Sequence, residues 1–231
     1  MDAAGGVPCC VIHPFLQPAF AEALSQEFPT IDRLPKRYSE QGKLQDLGLI
    51  LEPDVAQRVG PATSQLLAFV RSSEFGSFIA RLSGQRIDPD ITQISLNSYL
   101  PYQGLDSHID HRRGTTGFAR PLTMVIHLSQ DWKPEWGGRF LLSRDQSLAP
   151  PIISEDPGFN VGMLWERTAD AWHGVTLINT EQPRRTIALT LQRRDAVSYV
   201  YGIRRSALGR SIESSRLGRS LKQTVKRALK R

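Results

Sequence analysis

Apolar positions follow two rhythms along the chain, and the change comes near residue 91. Before it, "PAFAEALSQEF" sets Phe20, Ala23, Leu24 and Phe28 at helical spacing. "PATSQLLAFVRSSEFGSFIARLSG" carries Leu66, Leu67, Val70, Phe78 and Leu82 up to a terminating Gly84. Residues 14–82 are therefore predicted mostly helical, with "PTIDRLPKRYSEQGK" as a loop punctuated by Pro and Gly. After residue 91 the apolar runs are short and rich in β-formers: "ITQISLNSYL", "LTMVIHLS", "GGRFLLS", "GMLWERT", "WHGVTLIN" and "RRTIALTLQR". Turn residues bound each run, and "QDWKPEWGG" is a polar turn with a glycine pair. Many short strands at regular intervals predict a sandwich or barrel. The expected architecture is a helical N-terminal part packed on an antiparallel β-sandwich.

The last thirty residues have a rhythm of their own. Leu208, Ile212, Leu217, Leu221, Val225 and Leu229 recur at steps of four, once five, and "LGRS" occurs twice. This is an amphipathic helix pattern with a basic face, interrupted by Gly209 and Gly218. Charge separates this tail from the body. Of 29 Lys and Arg, ten lie in residues 202–231, where Glu213 is the one acid; the other 201 residues keep 19 basic and 22 acidic side chains. The net charge of +6 thus belongs to the tail. A basic amphipathic helix suits an anionic membrane surface or an acidic partner, or serves only as a solubilising helix. Nucleic acid is disfavoured, because no aromatic follows Tyr201 to stack on bases.

A chain of 231 residues has room for one good-sized core and an appendage. The expected division is residues 1–200 as one domain, with helical support over 14–84 and the β-core over 91–195, and residues 201–231 as the tail. No apolar run approaches the roughly 18–20 residues of a membrane span. "MDAAGGVPCCVIHPF" lacks the marks of a signal peptide. The expected location is cytoplasmic, or peripheral at the inner membrane face if residues 203–231 attach there. Cys9 and Cys10 are adjacent and form neither a disulfide framework nor a zinc spacing.

Five histidines serve the whole chain, and "HIDHRRG" uses two of them beside an aspartate. On a strand, residues two apart share a face. His108 and Asp110 therefore offer an imidazole nitrogen and a carboxylate oxygen to a common point. A metal needs a third ligand, and His173 in "AWHGV" is the best candidate. Two histidines and one carboxylate on one side of an ion form the facial triad of non-haem Fe(II) oxygenases. Eleven residues beyond His173 stands Arg184, and Thr186 shares its strand face. A guanidinium binds a carboxylate through two parallel hydrogen bonds, so this pair suits one end of a dicarboxylate. Arg185 is the rival for that role.

In order and spacing, "YLPYQGLDSHID", "LTMVIHLSQDWKPEWGGRFLL", "MLWERTADAWHGV" and "RRTIALTL" resemble the Fe(II)- and 2-oxoglutarate-dependent dioxygenase superfamily, specifically its prolyl-4-hydroxylase-like branch. The resemblance implies an α+β, mainly β fold: a double-stranded β-helix, or jelly-roll, of cupin type with N-terminal supporting helices, here followed by the basic C-terminal helix. It implies Fe(II) held by His108, Asp110 and His173. It implies 2-oxoglutarate held by Arg184 with Thr186, in a pocket lined by Tyr99, with O2 as oxidant and ascorbate as reductant. The expected reaction hydroxylates an unactivated C–H of an organic substrate and releases succinate and CO2. The substrate class spans prolyl or amino-acid groups, conjugated small molecules and saccharides, including a lipid-linked saccharide if the tail finds a membrane. Related halogenases lack the carboxylate ligand, so Asp110 favours hydroxylation.

Several residues keep two readings. His127 stands where the family often has a tyrosine, and is either a donor to the far carboxylate or a core histidine. His111 points away from His108 and Asp110, to solvent or substrate. Arg112, Arg113 and Arg120 flank a glycine-rich loop and meet either an anionic substrate or water. Trp132, Trp136 and Trp165 read as packing, with Trp172, beside a ligand, the best candidate for substrate contact. The rival to an enzyme is a non-catalytic jelly-roll that binds a partner through its pocket or basic tail.

Overall fold

The computed structural model describes residues 6–38, 44–110 and 118–194. The expected tail helix, His111, Arg112 and Arg113 lie outside these residues. Eleven strands are present among the described residues: β1 (Cys9–Ile12), β2 (Lys36–Tyr38), β3 (Leu44–Ile50), β4 (Gln93–Tyr99), β5 (Leu105–Ile109), β6 (Phe118–Leu128), β7 (Phe140–Ser143), β8 (Ile153–Glu155), β9 (Phe159–Glu166), β10 (Trp172–Val175) and β11 (Arg184–Arg194). Four α-helices precede β4: α1 (Pro18–Glu27), α2 (Pro53–Val59), α3 (Pro61–Val70) and α4 (Ser73–Ser83). The strands form two antiparallel sheets, a large one in the order β1-β9-β6-β11-β4-β3-β2 and a small one in the order β5-β10-β7-β8. This is the jelly-roll expected from the sequence. The N-terminal part departs from expectation in one respect. It contributes β1, β2 and β3 to the large sheet, and β2 and β3 fall within residues 14–82, which read as helices joined by a loop.

Period-two alternation decides what each face of the large sheet does. On β6, Leu122, Met124, Ile126 and Leu128 join helical residues such as Leu24, Leu66, Phe75 and Ile79 in the main core. On β11, Ile187, Leu189 and Leu191 do the same. The opposite face, with Thr123, Val125, Arg184, Thr186, Ala188 and Thr190, lines a cavity between the sheets. A second apolar cluster, including Phe140, Leu142, Met163 and Trp165, packs there.

Helices α1, α2 and α3 start with proline at the first turn, where its missing N–H is not needed. Helix α4 is capped by the Ser72 hydroxyl, which accepts from the Phe75 N–H at 3.2 Å, and stops at Gly84 with φ 71°. The start of α3 is capped from outside. Glu27, at the end of α1, accepts from the N–H groups of Ala62 and Thr63 at 2.8 and 2.7 Å, and from the Thr63 hydroxyl at 2.8 Å. A Cβ on Gly60 would lie 2.2 Å from the carboxylate carbon, so any larger residue there would push this cap aside. A carboxylate with three donors at a helix N-terminus is a charge-assisted cap. Glu27→Ala is expected to lower unfolding free energy by about 2 kcal/mol, read as an earlier urea midpoint with unchanged slope.

Candidate active site

The cavity floor is a grid of side chains from β4, β11 and β6. Tyr99 faces Arg184 in register; two residues along, Asn97, Thr186 and His127 form a row; then Ser95, Ala188 and Val125; then Gln93, Thr190 and Thr123. The roof is the small sheet, where His108 on β5 and His173 on β10 are paired directly. Asp110 follows β5 by one residue. The enclosed volume is about 250 Å³.

Ligand-type atoms of His108, Asp110 and His173 all lie within 4.8 Å of one another. The two histidines are oriented by the same device. Nδ1 of His108 lies 2.8 Å from the Asp106 carbonyl, and Nδ1 of His173 lies 3.1 Å from the Ala171 carbonyl. A carbonyl only accepts, so each Nδ1 carries the proton and each Nε2 keeps its lone pair. Those Nε2 atoms approach Asp110, at 4.0 Å from Oδ1 for His108 and 3.9 Å from Oδ2 for His173. Burial, more than any other effect, lowers the His173 pKa to about 4, with Asp110 opposing. A neutral imidazole with a free Nε2 is what a metal needs.

Asp110 is held by groups the sequence did not flag. Its Oδ2 accepts from the Thr123 hydroxyl at 2.9 Å and lies 3.1 Å from Nη2 of Arg167. Arg167 is only 5% exposed and also donates to the hydroxyls of Thr123 at 2.7 Å and Thr190 at 3.2 Å. Burial raises the Asp110 carboxyl, but Arg167, His173, Thr123 and His108 together outweigh it and hold it below the usual range. Burial lowers Arg167, Asp110 opposes, and the nearby Arg120 lowers it further. With Oδ2 occupied, Oδ1 is the oxygen free to ligate. Three such donors, convergent on one point, fit an Fe(II) ion.

At the other end of the cavity, Arg184 is 2% exposed. Its Nε donates to the Gly138 carbonyl at 2.8 Å, and its guanidinium stacks 5.1 Å from the centre of the Tyr99 ring. The glycine pair before β7 makes this possible. A Cβ on Gly137, whose φ is 69°, would strike the Leu177 carbonyl at 2.0 Å, and one on Gly138 would crowd the Arg184 stem. The terminal guanidinium nitrogens make no hydrogen bond among the described residues. His127 is 0% exposed, and neither ring nitrogen has a partner. Burial first and Arg184 second push its pKa well down, so it is neutral and offers one N–H. A buried cation and a buried imidazole, both short of partners, fit an anionic group entering from the cavity. Arg185, by contrast, projects to the other face, over the ring of Phe28 at 5.6 Å.

Residues 94–191 match the model of the 2OG-Fe(II) oxygenase superfamily. Over these residues the β-core is similar to that superfamily. The superfamily implies Fe(II), 2-oxoglutarate and O2. The chain shares its fold with a Pseudomonas putida prolyl-4-hydroxylase at 17% identity and TM-score 0.63, over 81% of this chain and 94% of that one. A Trichoplax adhaerens prolyl hydroxylase, solved with a hypoxia inducible factor oxygen degradation domain peptide fragment, superposes at 19% identity and TM-score 0.65, covering 83% and 85%. The non-haem α-ketoglutarate-dependent epimerase SnoN of nogalamycin biosynthesis does so at 11% identity and TM-score 0.55, covering 81% and 76%. At these identities the likeness is one of fold. Comparison with curated proteins gives no match.

The cavity region gathers all seven residues singled out from the sequence. Six of these, all but His127, line it directly. His127 lies on the same β6 face as Thr123 and Val125, opposite Thr186. Trp172 is not among the lining residues; Trp165 is, with its ring 5.2 Å from that of His173. The sequence signal for Trp165 and Arg167 was the period-two step from Met163 along β9, which puts all three on one face. An arginine on that face reads as an edge residue until its partner Asp110 is known.

Proposed function

We propose that the oxygenase couples decarboxylation of 2-oxoglutarate, to succinate and CO2, to hydroxylation of an unactivated C–H in an organic substrate. His108, Asp110 and His173 would hold Fe(II), which supplies the activation of O2 that no side chain can provide. Arg184, Thr186 and His127 would hold the distal carboxylate of 2-oxoglutarate, with Tyr99 backing the guanidinium. Neutral His127 donates one hydrogen bond and Arg184 supplies charge and a planar fork. Ascorbate would serve as reductant. Val125, Ala188 and Phe140 keep the middle of the cavity apolar, which limits water at the reacting bond.

One observation supports this reading above the rest. Metal-type donors and a carboxylate-type cradle stand in a single cavity, each lacking the partner that the reading supplies. Asp110 in the third ligand position supports hydroxylation over halogenation. The substrate class is prolyl or amino-acid, or a conjugated small molecule or saccharide; the Trichoplax enzyme, of the same fold, was solved with a peptide. The test is succinate formation by the full chain with Fe(II), ascorbate and air. Slow turnover without prime substrate is expected, abolished by omitting 2-oxoglutarate or by chelating iron. Succinate release that persists in excess chelator would refute it.

A further inference from the structure

Nine buried side-chain nitrogen and oxygen atoms lack a hydrogen-bond partner among the described residues. They are not scattered. Four belong to Asn97, His127 and Trp165 in the oxygenase cavity. Three more, Nε of Arg71, Nε of Arg120 and the hydroxyl of Thr92, line one separate cleft of about 340 Å³. Buried polar atoms are normally paired, so a second cluster marks a second ligand. The members are two guanidinium N–H donors and a hydroxyl, which calls for an acceptor bearing negative charge.

The acids in the cleft are already taken. Glu52 lies 3.1 Å from Nη2 of Arg71, and Asp90 is bound by Arg194. Gln192 is turned to the Ile91 carbonyl at 3.0 Å. Arg120 remains without a counter-ion among the described residues. Position ties this cleft to the oxygenase cavity. Gln93 lines both. Thr92, Arg120 and Gln192 sit at the ends of β4, β6 and β11 opposite to Tyr99, His127 and Arg184. The His-Asp-His cluster reaches the floor between those ends, where Asp110 meets Thr123.

Resting on the oxygenase reading above, we propose that the prime substrate is an organic anion whose carboxylate or phosphate is bound by Arg120, Arg71 and Thr92. The co-substrate carboxylate and the substrate anion then enter from opposite ends of the same strands. Gln192 is two residues beyond Thr190, roughly 7 Å along the strand. The anionic group of the substrate therefore lies on the order of 10 Å from the carbon that is oxidised.

The test uses the full chain loaded with Mn(II) and saturating 2-oxoglutarate under nitrogen, which fills the Arg184 end. Inorganic phosphate and acetate are titrated by calorimetry into wild type, Arg120→Gln, Arg120→Lys and Thr92→Val. Wild type is expected to bind phosphate. Arg120→Gln should weaken it at least tenfold, Thr92→Val should weaken it less, and Arg120→Lys should recover part of the loss. Binding of acetate as well assigns a carboxylate; phosphate alone assigns a phosphoryl group. No anion binding in wild type, or equal binding in Arg120→Gln with an unchanged melting temperature, overturns the proposal. Succinate formation by the same variants, reloaded with Fe(II) and assayed in air with ascorbate, reports separately on the oxygenase reading.

Discussion

His108→Ala will fold like wild type and form no measurable succinate. The metal would lose one of three protein ligands, and even outer partners of metal ligands cost roughly 10- to 100-fold in affinity or activity; a fall beyond about 100-fold is therefore expected. Stability should hardly change. The His108 side chain is 34% exposed and its one hydrogen bond among the described residues is to the Asp106 carbonyl. Asp110→Ala is a different experiment. It strands the buried Arg167, and an uncompensated buried charge costs about 3–5 kcal/mol. That variant should lose both turnover and melting temperature. The contrast between the two, measured by succinate release and thermal unfolding side by side, separates metal ligation from support of the fold.

Arg184→Gln will raise the KM for 2-oxoglutarate by about 100-fold while leaving metal affinity near wild type. Hydrogen bonds to a charged group are each worth about 1.5–3 kcal/mol, and 1.4 kcal/mol is tenfold. A glutamine keeps a donor but loses the charge and the fork. Burial already holds the Arg184 pKa below its ordinary value, with Tyr99 opposing, so removing the cation removes a desolvation penalty as well. The fold should therefore tolerate the change. Arg185→Gln is the control. Its guanidinium lies over Phe28 on the far face, and its KM should stay within about twofold of wild type. Equal effects of the two substitutions would mean that the distal carboxylate is not read by Arg184.

The carboxylate-binding end of the site came into view on long strands with clean alternation. On β11, "RRTIALTLQR" alternates polar and apolar positions, and the polar set is the one facing the cavity. On β6 the same pattern put His127 on the Thr123 face. What stayed hidden has physical reasons. Strands β1 and β8 have four and three residues, too few to show a period. Strand β3, "LQDLGLI", holds a glycine, and its role comes from pairing with the edge of β4, a contact about fifty residues distant. Arg167 was illegible for another reason. An arginine goes inside only when its counter-charge is there, and that counter-charge is Asp110, just after β5 and 57 residues earlier. Trp172 was favoured for being next to a ligand, yet neighbours on a strand point to opposite faces; Trp165, eight residues before His173, is the one that reaches its ring.

The central claim is that one cavity holds metal and 2-oxoglutarate together, and anaerobic binding tests it without any substrate. 2-Oxoglutarate is titrated against wild-type protein with Fe(II) and against the metal-free protein. The account predicts binding at least about tenfold tighter with iron, because the far carboxylate on Arg184 and the metal act on one molecule, and loss of that gain in His108→Ala. Equal affinity with and without iron, or no binding in either state, would contradict it and turn attention to a jelly-roll that binds rather than oxidises.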